Sequence, residues 1–264
     1  MTKVLSERQQ RELEFYEEFS KRNPRSGVSF ASIAGKTKKP WNSYWRVMEI
    51  AKENFRSEDQ KLLDFGCGNG ESAIIFAKIG YEVFGFDLSP NNVETARRLA
   101  GKYQMIERTH FHVSVAEHLD YPSDYFDVIV GTDILHHVEI TRALSECSRV
   151  LKPGGVAIFH EPLRVAVVDD LRESRFGKWL VPKEVSIERH ITQDERKLTT
   201  DDLKLIKSIA VNSSMQHFLL FSRFDRFFKF SKESSLFEKL DFHLFRSLPF
   251  LKRFGGIVIV ILRK

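Results

Sequence analysis

The sequence predicts an α/β fold in which a doubly wound sheet of seven strands carries helices on both faces. The first observation is a strand, glycine-rich turn, helix and second strand between residues 61 and 87, with an apolar start at Leu62-Leu63 and an acid, Asp87, at the end. The second is the β-branched run from Ile257 to Leu262, which predicts strand seven. Ligands of doubly wound sheets bind at the carboxyl edge of the parallel strands, so the sequence predicts a site beside Asp87.

Length and composition are typical of one main domain with a large core. The 264 residues are 42% hydrophobic and 29% charged, which excludes a chain that is disordered by composition. The two cysteines, Cys67 and Cys147, form no disulfide framework and favour a reducing compartment. No stretch reaches the roughly 18 apolar residues of a spanning helix, and the first residues lack the apolar core of a signal peptide. We therefore predict a cytoplasmic protein.

The net charge of +5 is concentrated near the end of the chain. Residues 201–264 hold 12 Lys and Arg against 6 Asp and Glu, together with 11 of the 23 phenylalanines. Basic and aromatic residues in one segment suit contact with an anionic membrane surface. Phenylalanines at helical spacing also fit an ordinary core with the basic side chains on the solvated side. The composition leaves both interpretations open.

The first 60 residues predict a helical extension that precedes the sheet. Residues 5–22 are highly charged with a narrow apolar stripe, which predicts a surface helix. The stripe consists of Leu13, Phe15, Tyr16 and Phe19. Residues 24–40 are typical of a loop, and three aromatic residues then mark the start of a second helix: Trp41, Tyr44 and Trp45. Large rings dominate core contacts, so packing against the edge of the sheet is expected for them.

The glycine-rich turn follows the first strand. Gly66, Gly68 and Gly70 lack a Cβ, which allows a sharp turn and a close approach of the backbone to a ligand. A dinucleotide site would need a glycine at the position of Glu71, so the observed spacing argues against a pyrophosphate. A carboxylate at the tip of the second strand, here Asp87, can accept both hydroxyls of a ribose. The turn and Asp87 therefore predict a site for a ligand that has a ribose but no pyrophosphate.

The other elements of the sheet follow in order along the chain. They are a helix at Pro90–Tyr103, strand three at Phe111–Val115, strand four at Phe126–Val130, a helix at Ile140–Val150, strand five at Val156–Phe159, a helix from Thr200 and strand six at Gln216–Phe221. Strand four is a nearly unbroken apolar run, as expected of a central strand buried on both faces. The run ends at Gly131 and Thr132, and Pro153-Gly154-Gly155 separates the preceding helix from strand five.

Four motifs in this order resemble those of the class I S-adenosylmethionine-dependent methyltransferases. They are Asp64-Phe-Gly-Cys-Gly-Asn-Gly after strand one, Asp87 after strand two, Phe126-Asp-Val-Ile-Val-Gly-Thr-Asp-Ile-Leu-His-His at strand four, and Leu151-Lys-Pro-Gly-Gly before strand five. The resemblance covers residues 61–161 and is nearest to the group that includes ubiquinone and menaquinone methyltransferases. It implies a Rossmann-like sheet in which strand seven inserts antiparallel between strands five and six, with S-adenosylmethionine as the cofactor.

The resemblance also implies which residues bind the cofactor. They are Asp64, Gly66, Gly68, Gly70, Asp87, Leu88, Ala116, Glu117, Gly131 and Thr132. Relatives usually have, at the position of Val115, an aspartate that accepts a hydrogen bond from the adenine amino group, so adenine recognition falls here to the backbone at Ala116 or to Glu117. Similar enzymes fold an N-terminal extension over the cofactor, and Tyr44 or Trp41 could line that cover. We assign no metal to the site.

Two titratable side chains are candidates for a catalytic base. His136 and His137 follow strand four, and Glu161 follows strand five at the same edge of the sheet. Some sugar and small-molecule O-methyltransferases that resemble this chain pair a histidine after strand four with an acid after strand five, which implies His136 and Glu161. A histidine at this position could take a proton from a hydroxyl. The alternatives are a structural histidine and a capping or salt-bridge role for Glu161.

Two segments on the substrate side interrupt the predicted methyltransferase domain, residues 61–264. Residues 163–200 are charged and irregular, which indicates a loop near the substrate mouth. Residues 222–253 have apolar positions spaced for two amphipathic helices. The phenylalanines of this second segment offer surplus apolar area, and they are Phe224, Phe227, Phe228, Phe237, Phe245 and Phe250. We expect the segment to cover the active-site mouth and to contact a membrane peripherally, with core completion and a dimer interface as alternatives.

The sequence therefore predicts methyl transfer from S-adenosylmethionine to a small-molecule or lipid-like acceptor. A non-catalytic module that binds S-adenosylmethionine is one alternative. Methylation of nucleic acid or protein is another, but strand four ends in Gly-Thr-Asp-Ile rather than in an Asn-Pro-Pro-Tyr clamp for a base amino group. Neither cysteine lies where a cytosine-attacking thiol would be, and the positive charge supports only weak attraction to phosphate. The sequence predicts neither the acceptor atom nor the oligomeric state.

Overall fold

The structure is a computed structural model that describes residues 5–22, 27–30, 38–166, 169–170, 196–209, 212–223 and 236–264. Its strands are β1 (Lys61–Phe65), β2 (Glu82–Asp87), β3 (Thr109–Val113), β4 (Phe126–Thr132), β5 (Leu151–Pro162), β6 (Ser213–Phe218) and β7 (Ile257–Arg263). Its α-helices are α1 (Glu7–Arg22), α2 (Ser43–Asn54), α3 (Glu71–Ile79), α4 (Pro90–Lys102), α5 (Ile140–Val150), α6 (Thr200–Ile209) and α7 (Leu236–Ser247). Short 3-10 helices lie at Ile106–Arg108, Leu135–His137 and Pro249–Phe254.

The described strands form one sheet in the order β3-β2-β1-β4-β5-β7-β6. β1 pairs in parallel with both β2 and β4, so the strand order reverses beside β1. β7 runs antiparallel to both of its neighbours, β5 and β6. This arrangement confirms the predicted Rossmann-like, doubly wound sheet with an antiparallel seventh strand. The reversal between β1 and β4 leaves a crevice at the carboxyl edge, where a ligand can bind.

Helices bury both faces of this sheet. Successive side chains of a strand point to opposite faces, and in β1 Leu62 therefore joins the apolar cluster formed with α2, α3 and α4, while Leu63 joins the cluster formed with α5 and α6. Val128 and Ile129 of β4 divide in the same way. This two-sided burial explains the unbroken apolar runs and holds the ends of β1 and β4 rigidly at the site.

The turn from β2 into α4 is fixed by a helix cap. The Oγ of Ser89 accepts a hydrogen bond from the backbone N of Asn92, and Pro90 occupies the first helical position, where its missing N–H leaves no unmet bond. Helix α4 consequently begins three residues after Asp87, and the carboxylate of Asp87 stands at a defined position on the carboxyl edge.

Several strands have bounds that differ from the predicted ones, and three of these differences have a clear cause in the pairing of strands. β5 begins at Leu151, because Leu151 pairs with Phe126 of β4 across an irregularity in the ladder, and Pro153-Gly154-Gly155 lies within the strand. β3 ends at Val113 and β6 at Phe218, each opposite the terminal residue of the neighbouring strand. A strand cannot extend past the backbone that supplies its hydrogen bonds, so these two end earlier than their apolar sequence predicts.

Helix α7 and the 3-10 helix after it dock beside the start of α2. The amide Nδ2 of Asn42 donates to Oε1 of Glu238 at 3.0 Å, and the Nζ of Lys239 lies 5.1 Å from the ring centroid of Trp41. These contacts place the C-terminal insertion next to the N-terminal extension. The predicted division into an extension at residues 1–60 and a domain at residues 61–264 stays a prediction.

The six phenylalanines expected to cover the site are only partly described. Phe245 is buried, Phe237 is half-buried and Phe250 is exposed. The other three, Phe224, Phe227 and Phe228, lie outside the described residues, as does most of the predicted loop at 163–200. The cover itself therefore stays a prediction.

Candidate active site

The glycine-rich turn between β1 and α3 shapes the site. Gly66, Gly68 and Gly70 have φ angles of 75°, 48° and 80°, a region that residues with a Cβ rarely adopt. A Cβ at Gly66 would lie 2.7 Å from the side chain of Ile134, and one at Gly70 would lie 2.6 Å from Ala96. Both of these glycines are needed for packing. A Cβ at Gly68 would meet no atom of the described chain within 4 Å, so it would project into open space at the site.

Asp87, at the end of β2, is held against this turn by three hydrogen bonds. Its Oδ2 accepts from the backbone N of Gly68 at 2.9 Å, and its Oδ1 accepts from the backbone N of Ser89 at 2.9 Å and from Nδ2 of Asn92 at 3.0 Å. Burial raises the pKa of the Asp87 carboxyl above its ordinary value, and the three hydrogen bonds oppose that shift. The turn and the carboxylate therefore form one preorganised unit.

Two adjoining cavities open at the carboxyl edge around this unit. The Asp87 cavity has a volume of about 160 Å³, and the Asp64 cavity has a volume of about 550 Å³. Four residues line both of them and mark where they meet: Tyr16, Gly66, Gly68 and Asn92. The two cavities adjoin past the glycine turn, with the half-buried Asp87 in one and the buried Asp64 in the other.

Asp64, near the end of β1, is a buried acid with an unused oxygen. It is 3% exposed, and its Oδ2 finds no hydrogen-bond partner among the described residues. The buried Oδ1 of Asn69, which lines the same cavity, lacks one within the same ranges. Desolvation and then the charge of Asp87 raise the pKa of Asp64 to about 7. Buried acceptors without a donor are costly, so this end of the path fits a ligand that brings N–H donors or positive charge.

The buried acid predicts a stability that depends on pH. The pKa of Asp64 is raised from 3.8 to about 7, so the folded state binds this proton more tightly than the unfolded state, and the free energy of unfolding falls as pH rises across that window. Asp64→Asn removes the buried charge and should raise the free energy of unfolding by about 2 to 4 kcal/mol at pH 8, with little change at pH 4. Urea unfolding at both pH values measures the change in the free energy of unfolding. An equal change at pH 4 and pH 8 would refute the raised pKa of Asp64.

The residues after β3 line the far side of the Asp87 cavity. Ala116 and Glu117, predicted for cofactor binding, both lie there beside Val115. The carboxylate of Glu117 is held in place, because its Oε2 accepts from Nε2 of Gln9 and its Oε1 accepts from the backbone N of Glu139, both at 3.0 Å. Helix α1 and the start of α5 thus fix the wall that the sequence assigns to adenine recognition.

Most of the residues predicted to bind the cofactor line the two cavities. Those that do are Asp64, Gly66, Gly68, Asp87, Leu88, Ala116, Glu117 and Thr132. Gly70 and Gly131 are not among the described lining residues of either cavity. A Cβ at Gly131 would lie 2.6 Å from the ring of Phe159 and 2.9 Å from Ile134, so this glycine lets β4 pack closely against its neighbours. The binding roles of all ten residues stay predictions.

The two candidates for a catalytic base, His136 and Glu161, contact each other in the interior. Nδ1 of His136 lies 2.6 Å from Oε2 of Glu161, whose Oε1 accepts from the backbone N atoms of Ile134 at 3.0 Å and Leu135 at 2.8 Å. Both side chains are buried, and neither is among the described residues that line the cavities. The structure brings the two together beneath the turn that follows β4. Their catalytic role stays a prediction.

The neighbouring His137 faces the Asp87 cavity, and helix α1 holds it there. Its Nε2 lies 3.0 Å from the hydroxyl of Tyr16, and its Nδ1 lies 3.1 Å from Oε2 of Glu12. A third residue of α1, Arg8, donates from Nη2 to the backbone O of His136 at 3.3 Å. Helix α1 therefore forms one wall of the Asp87 cavity.

Tyr44, at the start of α2, lines the Asp64 cavity, whereas Trp41 lies against Lys239. The Tyr44 hydroxyl donates to Oδ2 of Asp133 at 3.0 Å, and its ring stacks on His160 with centroids 4.3 Å apart. Asp133 has a φ of 54°, a conformation that is strained for a residue with a side chain. Burial raises the pKa of Asp133, but hydrogen bonds and charges, chiefly from His160, outweigh burial and hold it below its ordinary value. An ionised carboxylate thus stands beside Tyr44.

Sequence reasoning missed Tyr16 and Asn92, the two side chains that border both cavities. It assigned Tyr16 to the apolar stripe of a surface helix, because the neighbouring leucine and phenylalanines do not indicate which residue the tyrosine hydroxyl contacts. Asn92 was foreseeable in part, since Ser89 and Pro90 predict where α4 begins and a polar side chain two residues later falls near Asp87.

Within the described ranges, no three or more His, Cys, Asp or Glu side chains are grouped so that they could hold a metal ion. Nor does any helix of those ranges have the length and apolar character needed to cross a membrane.

The sheet and its acid-lined crevice define a Rossmann-like protein that binds its ligand at the carboxyl edge. Residues 63–159 match the family model described as "Methyltransferase domain", so this stretch of the chain is a methyltransferase domain and the resemblance drawn from its motifs is confirmed.

Curated relatives with similar sequences carry methyltransferase names. The chain is 36% identical over 127 residues to a demethylmenaquinone methyltransferase of Chlorobaculum parvum, covering 46% of this chain and 50% of the relative. It is 33% identical over 100 residues to a ubiquinone biosynthesis O-methyltransferase of Mesorhizobium japonicum, covering 38% and 39%. The alignments span about half, or less, of the length of these relatives.

Solved structures of similar fold extend over nearly the whole chain. One is a geranyl diphosphate C-methyltransferase from Streptomyces coelicolor A3(2), solved with Mg²⁺, geranyl diphosphate and S-adenosyl-L-homocysteine, with a TM-score of 0.59, 16% identity and 98% coverage of each chain. Another is the cyclase SpnF, with a TM-score of 0.60, 18% identity and coverage of 99% of this chain and 97% of that one. At such identities the likeness shows the fold alone.

Proposed function

We propose that this chain is an S-adenosylmethionine-dependent methyltransferase that acts on a small-molecule or lipid-like acceptor. One observation carries the proposal: two acids, the half-buried Asp87 and the buried Asp64, stand in two adjoining cavities, and the Oδ2 of Asp64 has no partner in the described part of the chain. S-adenosylmethionine presents a ribose and an α-ammonium group on either side of its sulfonium. Along the two cavities, Asp87 would face the ribose and Asp64 would face the ammonium group.

The residues present fit this cofactor. Asp87 would accept the ribose hydroxyls, and the unused oxygens of Asp64 and Asn69 would accept from the ammonium group. The open space at Gly68 would let the backbone approach the ligand. When bound, the cofactor supplies a methyl group on a positively charged, intrinsically reactive sulfur. The chain's own contribution is then alignment of the acceptor and exclusion of water.

The relatives support a small or lipid-like acceptor. Two of them are named for demethylmenaquinone and ubiquinone, and a third, 39% identical over 97 residues and covering 36% of each chain, is a 27-O-demethylrifamycin SV methyltransferase of Amycolatopsis mediterranei. A non-catalytic module that binds S-adenosylmethionine is the alternative, because a fold does not dictate the reaction.

Two measurements test the proposed function. Isothermal titration calorimetry with S-adenosylhomocysteine should show binding at one site. A mass-spectrometric screen of cell extract with methyl-labelled S-adenosylmethionine should show a labelled product. Absence of binding would refute the proposal, whereas binding without a product in any fraction of the extract would support the non-catalytic module.

The base role of His136 and Glu161 belongs to the same proposal. Their 2.6 Å contact and their position at the end of β4 and β5 support a pair that shares a proton. The two backbone hydrogen bonds accepted by Glu161 support the capping alternative equally well, since they fix the turn that carries His137.

We also propose that the C-terminal segment contacts membranes peripherally. Five exposed apolar side chains lie close together in the sequence on and around α7, and they are Phe221, Leu236, Leu240, Leu248 and Phe250. Basic residues accompany them, including Lys239 and Arg253. Apolar side chains enter the interface of a membrane, and lysines and arginines beside them attract anionic lipid, at about 1 kcal/mol for each basic residue near the surface.

Co-sedimentation with vesicles tests this contact. We expect binding to vesicles with anionic lipid and much less to neutral ones, and about tenfold weaker binding for the double variant Leu236→Ser and Leu240→Ser, because both side chains are exposed and would lose their apolar contact. Ile106→Ser is the matched control, since Ile106 is 61% exposed and Leu236 is 63% exposed, but Ile106 lies before β3. Equal loss in the control, or no vesicle binding at all, would rule the contact out.

A further inference from the structure

A third cavity lies apart from the two at the carboxyl edge. Residues of α2, β6, α7 and the 3-10 helix at Pro249–Phe254 line it, and its volume is about 570 Å³. We call it the β6 cavity. None of its described lining residues lines the Asp87 cavity or the Asp64 cavity. A space of this size is typical of a site for a small molecule.

Hydrogen bonds hold the walls of the β6 cavity together before any ligand binds. Nε of Arg46 in α2 donates to Oε1 of Gln216 in β6 at 3.2 Å. The buried carboxylate of Asp241 in α7 accepts from the backbone N atoms of Leu220 and Phe221, both at 2.8 Å, just after β6. Helices α2 and α7 are therefore fixed to the same strand, and the cavity between them is preformed.

The charges that line the β6 cavity are not balanced. Its two acids, Glu49 and Glu53, both contact Nη1 of Arg46, at 3.3 Å and 3.1 Å. Three further basic side chains line the cavity and form no ion pair with any described residue: Lys38, Arg246 and Lys252. Among the described lining residues, four basic side chains therefore accompany two acids, and this excess of positive charge favours an anionic ligand.

His217 in β6 adds an unpaired polar atom to the same wall. Its Nδ1 is buried and finds no hydrogen-bond partner in the described ranges. Burial, followed by the charges of Lys252 and Lys207, lowers the pKa of His217 to about 4, so the ring is neutral at pH 7. A neutral imidazole carries one N–H donor, which an oxyanion can accept. Because buried polar groups are normally paired, this ring also indicates a ligand.

Apolar side chains form the interior of the β6 cavity. Phe218 and Phe245 are buried and Phe242 is half-buried, whereas Lys38 and Arg246 are exposed. The cavity therefore has an apolar interior and a basic rim. The guanidinium carbon of Arg246 lies 5.3 Å from the centroid of the Phe242 ring, so a charged contact and an apolar contact are available side by side. A ligand that matches both has an anionic group beside an apolar body.

We propose that the β6 cavity is a second binding site, and that its ligand is an anionic amphiphile with a phosphate or carboxylate group on an apolar chain. Arg246 and Lys252 bind the anionic group, and Phe242 contacts the chain. The site is separate from the path of S-adenosylmethionine, because Tyr44 of α2 lines the Asp64 cavity while Arg46 of the same helix lines the β6 cavity.

Isothermal titration calorimetry with decyl phosphate, below the concentration at which it forms micelles, tests the proposal. Binding at one site is expected, with or without S-adenosylhomocysteine. The double variant Arg246→Gln and Lys252→Gln should weaken binding about 30-fold, because two charged donors are lost. The double variant Lys239→Gln and Arg253→Gln is the matched control. It removes the same charge from the same two helices outside the described lining, and it should change binding by no more than about threefold.

Two other probes test the two ends of the ligand. Decanol lacks the charge and inorganic phosphate lacks the chain, so each should bind at least about 30-fold more weakly than decyl phosphate. Phe242→Ser should weaken binding of decyl phosphate about tenfold, because the half-buried ring would no longer contact the chain.

The vesicle assay with the same two double variants identifies the source of the amphiphile. Weaker vesicle binding by Arg246→Gln with Lys252→Gln than by the control indicates a membrane lipid, whereas equal vesicle binding indicates a dissolved amphiphile.

Three results would overturn the proposal. Absence of decyl phosphate binding, or an equal loss in the control variant, would leave only a general surface charge. Equal affinity for decanol or for inorganic phosphate would contradict an amphiphile site. Competition with S-adenosylhomocysteine would place the decyl phosphate in the cofactor path instead. Since these measurements involve no methyl transfer, their outcome is independent of the proposed function.

Discussion

Replacing Asp87 with alanine is expected to weaken binding of S-adenosylhomocysteine about 30- to 1,000-fold, equivalent to about 2 to 4 kcal/mol. Hydrogen bonds from the backbone of Gly68 and Ser89 and from the side chain of Asn92 hold the carboxylate in place before any ligand arrives. Binding therefore costs no conformational entropy at Asp87. In this half-buried position, two hydroxyl hydrogen bonds to a charged acceptor are strong. Isothermal titration calorimetry measures the loss.

The loss must be separated from damage to the turn, because Asp87 also binds the backbone N of Gly68. Asp87→Asn keeps one acceptor oxygen for that contact and should fall between the unmodified protein and the alanine variant. Glu82→Ala removes an acid at the other end of the same strand, outside the described lining of both cavities, and should bind normally. Unchanged affinity in Asp87→Ala would remove Asp87 from the site.

Gly68→Val is expected to abolish binding of S-adenosylhomocysteine while the protein stays folded. Gly68 lines both cavities, and a Cβ there would meet no described atom within 4 Å, so the valine would project into the space that the ligand must enter. The positive φ of 48° adds backbone strain of about 1 to 3 kcal/mol, which the large core should tolerate. Calorimetry measures the binding, and circular dichroism measures the folding.

Gly154→Val controls for the strain. Gly154 has a φ of 79°, and a Cβ there would likewise lie more than 4 Å from the described atoms, but it belongs to β5 far along the chain and lines neither described cavity. The two variants therefore share the backbone penalty and differ in the space that they fill. Normal binding by Gly68→Val, or an equal loss in Gly154→Val, would contradict the assignment of Gly68 to the cofactor path.

The sheet and the cofactor side of the site were predictable because their signals are local. β1, β4 and β7 are apolar runs with buried partners on both faces, and glycines with positive φ mark the turn between β1 and α3. An acid at the end of β2 needs only the strand order to place it at the crevice. Some of these features lie within one β-α-β unit. The others depend on burial of a strand on both faces, which its apolar sequence predicts directly.

The wall of the site built by α1 was not predictable, since it depends on contacts between residues far apart in sequence. Tyr16 and His137 are separated by 121 positions, and neither carries a local pattern that specifies the other. The same limit applies to the histidine pair after β4. Both His136 and His137 follow the strand, but only the path of α1 and the carboxylate of Glu161 decide which ring faces the cavity and which is buried.

Strand ends followed neighbours rather than their own residues. β6 stops at Phe218 because β7 begins at Ile257 directly opposite, although the apolar sequence continues to Phe221. β5 continues through Pro153-Gly154-Gly155, since Leu151 still finds Phe126 of β4. Propensity indicates where a strand can form, and the hydrogen-bonding partner determines where it ends.

Transfer of a labelled methyl group is the most direct test of the central claim, that the path from Asp87 to Asp64 aligns S-adenosylmethionine for methyl transfer. The unmodified protein, incubated with methyl-labelled S-adenosylmethionine and fractionated cell extract, should form a labelled acceptor and an equal amount of S-adenosylhomocysteine, and Gly68→Val should form neither. A protein that binds S-adenosylhomocysteine at this site but forms no labelled product from any fraction would contradict the account.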